Sequence, residues 1–245
     1  LPVLRDSQGR PFVPGSSFKG VLRSGVEQVA RAAAGPRGAC LPTSDEKDWC
    51  ISSKRMAELK AHVKDDKGLA EDIWKEACLA CRTFGSPWLA SHVKVKDLGV
   101  DEVTWFEQFQ VRDGVAIDRD KGTVAGKKLY DYEVVPAGAC FKLEIVVENA
   151  EPWQLGMLWL GLQPFFQGNA AVGGFTSRGL GWMALERTTL TLLEPGRDPG
   201  ALVDAVLGQV PPLTEEETKI RTVDWLKSFR ARLAEEARNA QATAK

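Results

Sequence analysis

Four cysteines gathered between residues 40 and 81 constrain this chain more than any other feature. Nine residues separate Cys40 from Cys50, twenty-seven more precede Cys78, and Cys81 follows after Leu79 and Ala80. A C-x-x-C knuckle presents two thiolates to one metal, and a distant second pair closes a tetrahedral shell. The segment that carries them, Arg37 to Phe84, is polar, with a mixed-sign run from Asp45 to Glu76. It therefore reads as a helical insertion over residues 37–83, stapled by a structural Zn2+ held by Cys40, Cys50, Cys78 and Cys81 instead of by its own apolar core. A redox C-x-x-C or plain buried thiols are the other readings of this spacing. A disulfide framework is a poor one, because five cysteines are an odd number and the chain opens on Leu1-Pro2 without a secretory leader. Cys140 stands apart in a stretch, Gly138 to Val147, that reads as a buried strand. His62 and His92 lie outside the pattern and read as surface or core residues.

The remaining organisation is α+β. At 245 residues the chain is one large domain or two small ones, and 44% hydrophobic with 27% charged residues is an ordinary globular balance. The longest apolar stretch, Trp153 to Phe166, is interrupted by Gly and Gln and falls short of the ~20 residues a membrane span needs, so no membrane is expected. Leu1 to Val13 reads as a loop or hairpin turning at Asp6-Ser7-Gln8-Gly9. A helix starts at Pro14-Gly15-Ser16-Ser17, with Phe18, Val21, Leu22, Val26, Val29 and Ala33 at helical spacing, and ends at Gly35-Pro36. Strand character is expected at Val103–Gln110, in two runs across Leu129–Val147, and at Trp182–Leu193. Val111–Lys128 reads as a hairpin-like excursion. A helix is expected at Trp153–Phe166, a short one at Asp198–Gly208, and a last one from Thr214 with Ile220, Val223, Leu226 and Phe229 as its apolar face.

Net charge is −1, which argues against a free-standing nucleic-acid binder, yet Arg5 to Arg37 holds six basic residues against Asp6 and Glu27. Within it, Ser16, Ser17, Lys19 and Arg23 at a helix start offer hydroxyls, backbone N–H groups and two charges suited to phosphate. A capped helix with no ligand is the plainer reading of the same residues. The second candidate is Gly173-Gly174-Phe175-Thr176-Ser177-Arg178-Gly179-Leu180-Gly181. Five glycines in the fourteen residues from Gly168 to Gly181 make a loop whose backbone can approach a sugar-phosphate chain, with Arg178 supplying charge. A structural tight turn is the alternative.

Read in order, several blocks carry a resemblance. They are Leu1-Pro2-Val3-Leu4-Arg5-Asp6, Pro11 to Arg23 with its Pro-Gly-Ser-Ser-x-Lys-Gly-x-x-Arg core, Ile117-Asp118-Arg119, Leu129-Tyr130, Glu133 to Gly138 and the glycine loop. Residues 1 to about 187 resemble the RAMP superfamily, and specifically the backbone subunit of type III CRISPR effector complexes. The resemblance implies a ferredoxin-like (RRM-like) core over 1–36 and 84–193, the zinc-bearing insertion, and a thumb-like β-hairpin at about 111–132 with Ile117, Asp118 and Arg119. Residues 194–245 form a C-terminal helical extension without a family counterpart. It also implies CRISPR RNA held by Ser16, Ser17, Lys19, Arg23, Gly173, Gly174, Ser177, Arg178 and Gly179. Target RNA, further copies of the chain and other type III subunits are the remaining implied partners, in the cytoplasm.

Members of this family cleave target RNA with an acidic residue and Mg2+ or a similar divalent ion. The resemblance puts that acid immediately before Leu1, and the first core strand further upstream. Asp6 is the one nearby substitute, and its plainer role is to cap the Ser7–Gly9 turn. A repeat-processing endoribonuclease of the same superfamily, or a zinc-stabilised interaction protein without RNA, are the competing functions. The first of these often uses His, and neither His62 nor His92 has a basic or glycine-rich setting.

Overall fold

Phe18, Leu22, Val26 and Ala30 recur every four residues and are almost wholly inaccessible to solvent, which fixes one face of the first long helix. Burial of a Leu or Val side chain contributes about 1.5–3 kcal/mol, enough to hold the helix against the mixed polar residues on its other faces. This helix, α1, spans Gly15–Gly38 and breaks where expected: Ala34 and Gly35 leave helical geometry, and Pro36 follows. The computed structural model describes residues 1–245 apart from Ser44, Lys64, Asp118, Pro195, Arg197, Ala244 and Lys245.

Among the described residues the chain is a mixed α+β protein with seven α-helices and four two-stranded sheets. The strands are β1 (Phe12–Val13), β2 (Val93–Val95), β3 (Leu98–Gly99), β4 (Gln110–Ile117), β5 (Val124–Val134), β6 (Ile145–Val147), β7 (Ala170–Ala171) and β8 (Trp182–Met183). They pair as β1 with β3, β2 with β6, β4 with β5 and β7 with β8. The helices after α1 are α2 (Ser53–His62), α3 (Asp66–Glu76), α4 (Leu79–Phe84), α5 (Pro152–Phe166), α6 (Pro199–Val206) and α7 (Glu215–Thr243). No helix among the described residues is long and apolar enough to cross a membrane.

Two compact units result. The first comprises Leu1–Val21, Val93–Val146 and Ala171–Trp182. Its N-terminal turn is closed by Gly9 N–H donating to Asp6 O at 3.0 Å, and Arg5 bridges Pro11 across it. Its longest element is the antiparallel hairpin β4–β5, registered from Gln110 opposite Val134 to Ile117 opposite Val124 with an irregularity after Val115. Three expected strands are shorter than their sequence pattern. Val103–Phe109 turns instead of extending, with Thr104 N–H bonded to Asp101 O, and the strand begins at Gln110. Gly138–Val147 is ladder only at its end. Around Cys140 the backbone makes single bonds, Asp101 N–H to Cys140 O and Lys142 N–H to Gly99 O, and Cys140 is only half-buried. The run Trp182–Leu193 is likewise strand only at Trp182–Met183.

The second unit comprises Leu22–His92, Val147–Ala170 and Met183–Lys245. Helix α5 is its centre. It buries Trp153, Gln154, Met157, Leu158, Leu162 and Phe165 nearly all round. Helix α7 starts on a capping box, with Glu217 N–H donating to Thr214 Oγ1 at 3.2 Å and Thr214 N–H donating to Glu217 Oε2 at 2.8 Å. Its buried face is not the expected Ile220–Val223–Leu226–Phe229 stripe. Ile220 and Val223 are exposed, and Thr222, Trp225, Phe229 and Glu236 are buried. The reason is Gly156 of α5, where any Cβ would collide with the Trp225 carbonyl oxygen. The two backbones meet at that point, and the helix turns Trp225 inward. The helices between α1 and α4 bury little, Met56 and Leu59 from α2 and Ile73 from α3, while the loops around them bury Ala39, Cys40, Ile51, Ala77 and Cys78.

Candidate nucleic-acid interface and metal centre

The first unit holds most of the residues expected to meet RNA. At the start of α1, Gly15 N–H donates to the Asp97 carboxylate at 2.8 Å, and a Cβ at Gly15 would collide with the Val95 carbonyl oxygen. Asp97 thus already supplies negative charge to the helix N-terminus, a cap the sequence reading missed. Ser16 and Ser17 are exposed, and Lys19 Nζ donates to Val93 O at 2.9 Å.

The glycine loop is built around Phe175, a non-glycine residue in the left-handed region at φ 58°, ψ 28°. Such a residue is strained and persists only where its surroundings hold it. Here the ring is what is held. Phe175 stacks on Tyr132 of β5 at 4.9 Å between ring centroids and 25° between planes, with Tyr130 nearly parallel at 6.4 Å. Arg178 donates to the Tyr130 hydroxyl and lies 5.1 Å from the Phe175 ring centroid. Tyr130 can lie across the hairpin because its partner Gly114 has no side chain, and a Cβ there would collide with the tyrosine ring. Gly173, Gly174, Thr176, Ser177, Arg178 and Gly179 remain exposed. The structure therefore brings the glycine loop onto the base of the hairpin. Sequence reasoning placed Phe175 in the loop motif but missed its stacking on Tyr132, although Tyr130-x-Tyr132 alternation in a strand was the signal for a shared face.

At the hairpin tip Ile117 pairs with Val124, Arg119 is exposed in the turn, and Asp118 lies outside the described residues. The Asp6 carboxylate is committed locally. Its Oδ1 accepts from the Gln8 and Arg10 N–H groups and its Oδ2 from Arg10 Nε, each at 2.9 Å. The Arg10 backbone bond, first among these, holds the Asp6 carboxyl below the usual carboxylate range.

The second unit holds the cysteines. Cys40, Cys50, Cys78 and Cys81 each offer a sulfur, and the four sulfurs all lie within 4.8 Å of one another. Cys40, Cys78 and Cys81 are buried and Cys50 is half-buried. Cys40 Sγ and Cys81 Sγ are 3.6 Å apart, close to the roughly 3.8 Å edge of a tetrahedron with Zn–S bonds of about 2.3 Å. Cys78 opens α4 as its N-cap, and its sulfur accepts N–H bonds from Cys40 and Cys81, each at 3.4 Å. Hydrogen bonds from Cys50, then from Cys78 and Cys81, push the Cys40 thiol down. Cys78 is lowered to about 7: its bond with Cys40 raises it, and those with Cys50 and Cys81 outweigh that. Four soft donors at this spacing suit zinc, and these residues fit such an ion. Among the residues expected at phosphate, Arg23 is found here. Its Nη2 donates to Cys81 Sγ at 3.5 Å and its Nη1 to Gly85 O at 3.0 Å.

No curated protein matches the chain. A family model described as the RAMP superfamily matches residues 1–184, about three quarters of the sequence, and the chain belongs to that superfamily.

Proposed function

We propose that this chain is a CRISPR RNA-binding backbone subunit of a type III effector complex. Membership of the RAMP superfamily supports a CRISPR-associated RNA-binding role. The observation that carries the finer reading is the seating of the exposed glycine loop on the hairpin through Phe175 and Tyr132, within one compact unit. A backbone subunit must hold RNA phosphates and place a wedge between bases at a fixed offset from them. The loop supplies backbone N–H groups and Arg178, the start of α1 supplies Ser16, Ser17 and Lys19, and the hairpin supplies the wedge as the thumb. Residues 1–36 and 84–193 form the ferredoxin-like core of this reading, 37–83 the zinc-bearing insertion and 194–245 the helical extension. Copies of the chain line up on one guide in the cytoplasm with other type III subunits, bind complementary target RNA, and cleave it with a divalent ion such as Mg2+ at an acidic residue preceding Leu1. Asp6 holds the adjoining turn.

The test is purification of the chain with and without guide RNA. Raised absorbance at 260 nm and multi-copy assembly by native mass spectrometry are expected. A folded, zinc-containing protein that neither retains RNA nor assembles on it overturns the reading in favour of an interaction protein.

Two glycines of the loop separate contact with RNA from contact within the chain. A Cβ at Gly174 meets nothing within 4 Å, whereas at Gly181, φ 75°, it would collide with the Val172 carbonyl oxygen. Gly174→Val is expected to leave the melting temperature unchanged and weaken RNA retention on the order of tenfold, equivalent to about 1.4 kcal/mol. Gly181→Val is expected to lower the melting temperature. Reversal of the pair, with Gly174→Val unfolding and RNA retained, makes the loop structural. Lys19→Ala and Arg178→Ala should each lower the slope of log K against log salt by about one, since phosphate contacts carry charge and no base information. An unchanged slope removes that residue from the interface.

A further inference from the structure

The sequence places Arg23 with Lys19, four residues apart on one face of α1, but the two side chains serve different neighbours. Lys19 bonds the Val93 carbonyl, whereas Arg23 is mostly buried and forks between the Gly85 carbonyl and the Cys81 sulfur. Arg23 Nε also donates to Glu27 Oε1 at 2.7 Å, and Glu27 Oε2 lies 3.8 Å from Arg31 Nη2. Arg31 in turn donates from Nε to Ala39 O at 3.1 Å and from Nη2 to Cys40 O at 2.7 Å. Three residues at i, i+4 and i+8 on α1 therefore grip both cysteine-bearing segments, the one entering at Cys40 and the one holding Cys81 and Gly85.

From this geometry we infer that Arg23 is an outer-sphere residue of the four-cysteine metal centre, with Arg31 its helper, and takes no part in holding RNA. The inference rests on the reading of Cys40, Cys50, Cys78 and Cys81 as zinc ligands. The chemistry that calls for it is charge. Four thiolates around one Zn2+ carry a net charge of −2, and a partly buried cluster of that charge is costly unless nearby donors spread it. Cys78 has two backbone N–H donors for this purpose, and Cys81 has the guanidinium of Arg23. Arg23 and Arg31 against Glu27 leave one positive charge on the helix face toward the cluster. A guanidinium suits the position better than an ammonium, because its planar fork reaches the sulfur and the Gly85 carbonyl at once.

The experiment measures zinc affinity of the full chain by competition with a chromophoric chelator, and the thiolate charge-transfer absorption of the Co2+ form. Arg23→Gln is expected to weaken zinc binding roughly 10–100-fold, the usual cost of losing an outer-sphere partner. Arg23→Lys should fall between Arg23→Gln and wild type, and should shift the Co2+ band. Arg55→Gln, whose bonds run to Glu58 and Glu76, should leave affinity at the wild-type value. RNA retention by zinc-saturated Arg23→Gln should equal that of wild type. Equal zinc affinity in wild type, Arg23→Gln and Arg23→Lys overturns the inference, as does loss of RNA retention with zinc affinity intact. A folded wild-type chain that takes up neither zinc nor Co2+ overturns the metal reading itself and this inference with it. Where Arg23→Gln does not fold, the intermediate affinity of Arg23→Lys carries the comparison.

Discussion

Chelation of the metal, or Cys78→Ser, is expected to unfold residues 40–77 while α5 and α7 keep their protection from hydrogen exchange. The size of the effect follows from how little else holds that segment. Helices α2 and α3 together bury Met56, Leu59 and Ile73, and most of their remaining side chains are charged and face water. Chain entropy of about 1–2 kcal/mol per residue over such a stretch far exceeds the burial of these three apolar side chains together with Ile51 and Ala77 in its loops. A structural zinc contributes on the order of 10 kcal/mol in small metal-dependent domains, which is the scale needed here. Helix α4 should resist longer, because all six of its residues are buried and Gln154 Nε2 donates to Arg82 O at 2.9 Å. Cys78→Ser removes more than one ligand, since its sulfur is also the acceptor for the Cys40 and Cys81 amides. The measurement is hydrogen exchange with and without chelator, alongside elemental analysis that should find about one zinc per chain. Uniform protection before and after chelation, or metal-free protein of unchanged stability, rejects the structural-metal role.

That prediction was legible in the sequence because thiolates are rare, soft and discrete: four cysteines with one C-x-x-C have few other uses. The start of α1, the break at Gly35-Pro36, helix α5 and the Thr214–Glu217 cap were legible for similar reasons, each being a local pattern with a local cause. What escaped was set by distant partners. The alternation in Val103–Gln110 and the strand-like run Trp182–Leu193 fit a half-buried strand, yet the first turns as far as Phe109 and the second finds a ladder partner only at Trp182–Met183. Ile220 and Val223 lie on the apolar side of α7 by periodicity, but the close approach at Gly156 rotates Trp225 inward. Lys19 and Arg23 share a helix face, and side chains of that length reach different neighbours from it. Phe175 shows the limit most sharply. No local sequence pattern marks a left-handed phenylalanine, and its ring is held in large part by the tyrosines of β5, more than forty residues earlier.

The second large effect is expected at Glu236, an acid that a charged, mostly exposed helix gave no reason to single out. It is 1% exposed, and three guanidinium groups converge on it. Arg37 Nε donates to Oε2 at 2.9 Å, Arg232 Nη2 donates to Oε1 at 3.1 Å, and Arg82 Nη1 stands 3.5 Å from Oε1. The three come from the end of α1, from α4 and from α7 itself, so one carboxylate ties three elements of the second unit together. Arg82 is as buried as Glu236, and burial is the main force pulling its pKa down, with Arg232 and Arg37 adding to it and Glu236 opposing. The Nε atoms of Arg82 and Arg232 have no hydrogen-bond partner among the described residues. The cluster is therefore already short of acceptors. Glu236→Ala would leave a fully buried cation facing two others, a change that costs about 3–5 kcal/mol when one partner of a buried pair is lost. Arg37 and Arg232 are about one-third exposed on their side chains and can turn to water, whereas Arg82 has no such route. Arg82→Leu combined with Glu236→Leu should accordingly be much more stable than either single variant, because the stranded charge disappears with its partner. Urea midpoints of the four proteins decide the matter. Additive single and double effects would mean that Arg82 and Glu236 act independently.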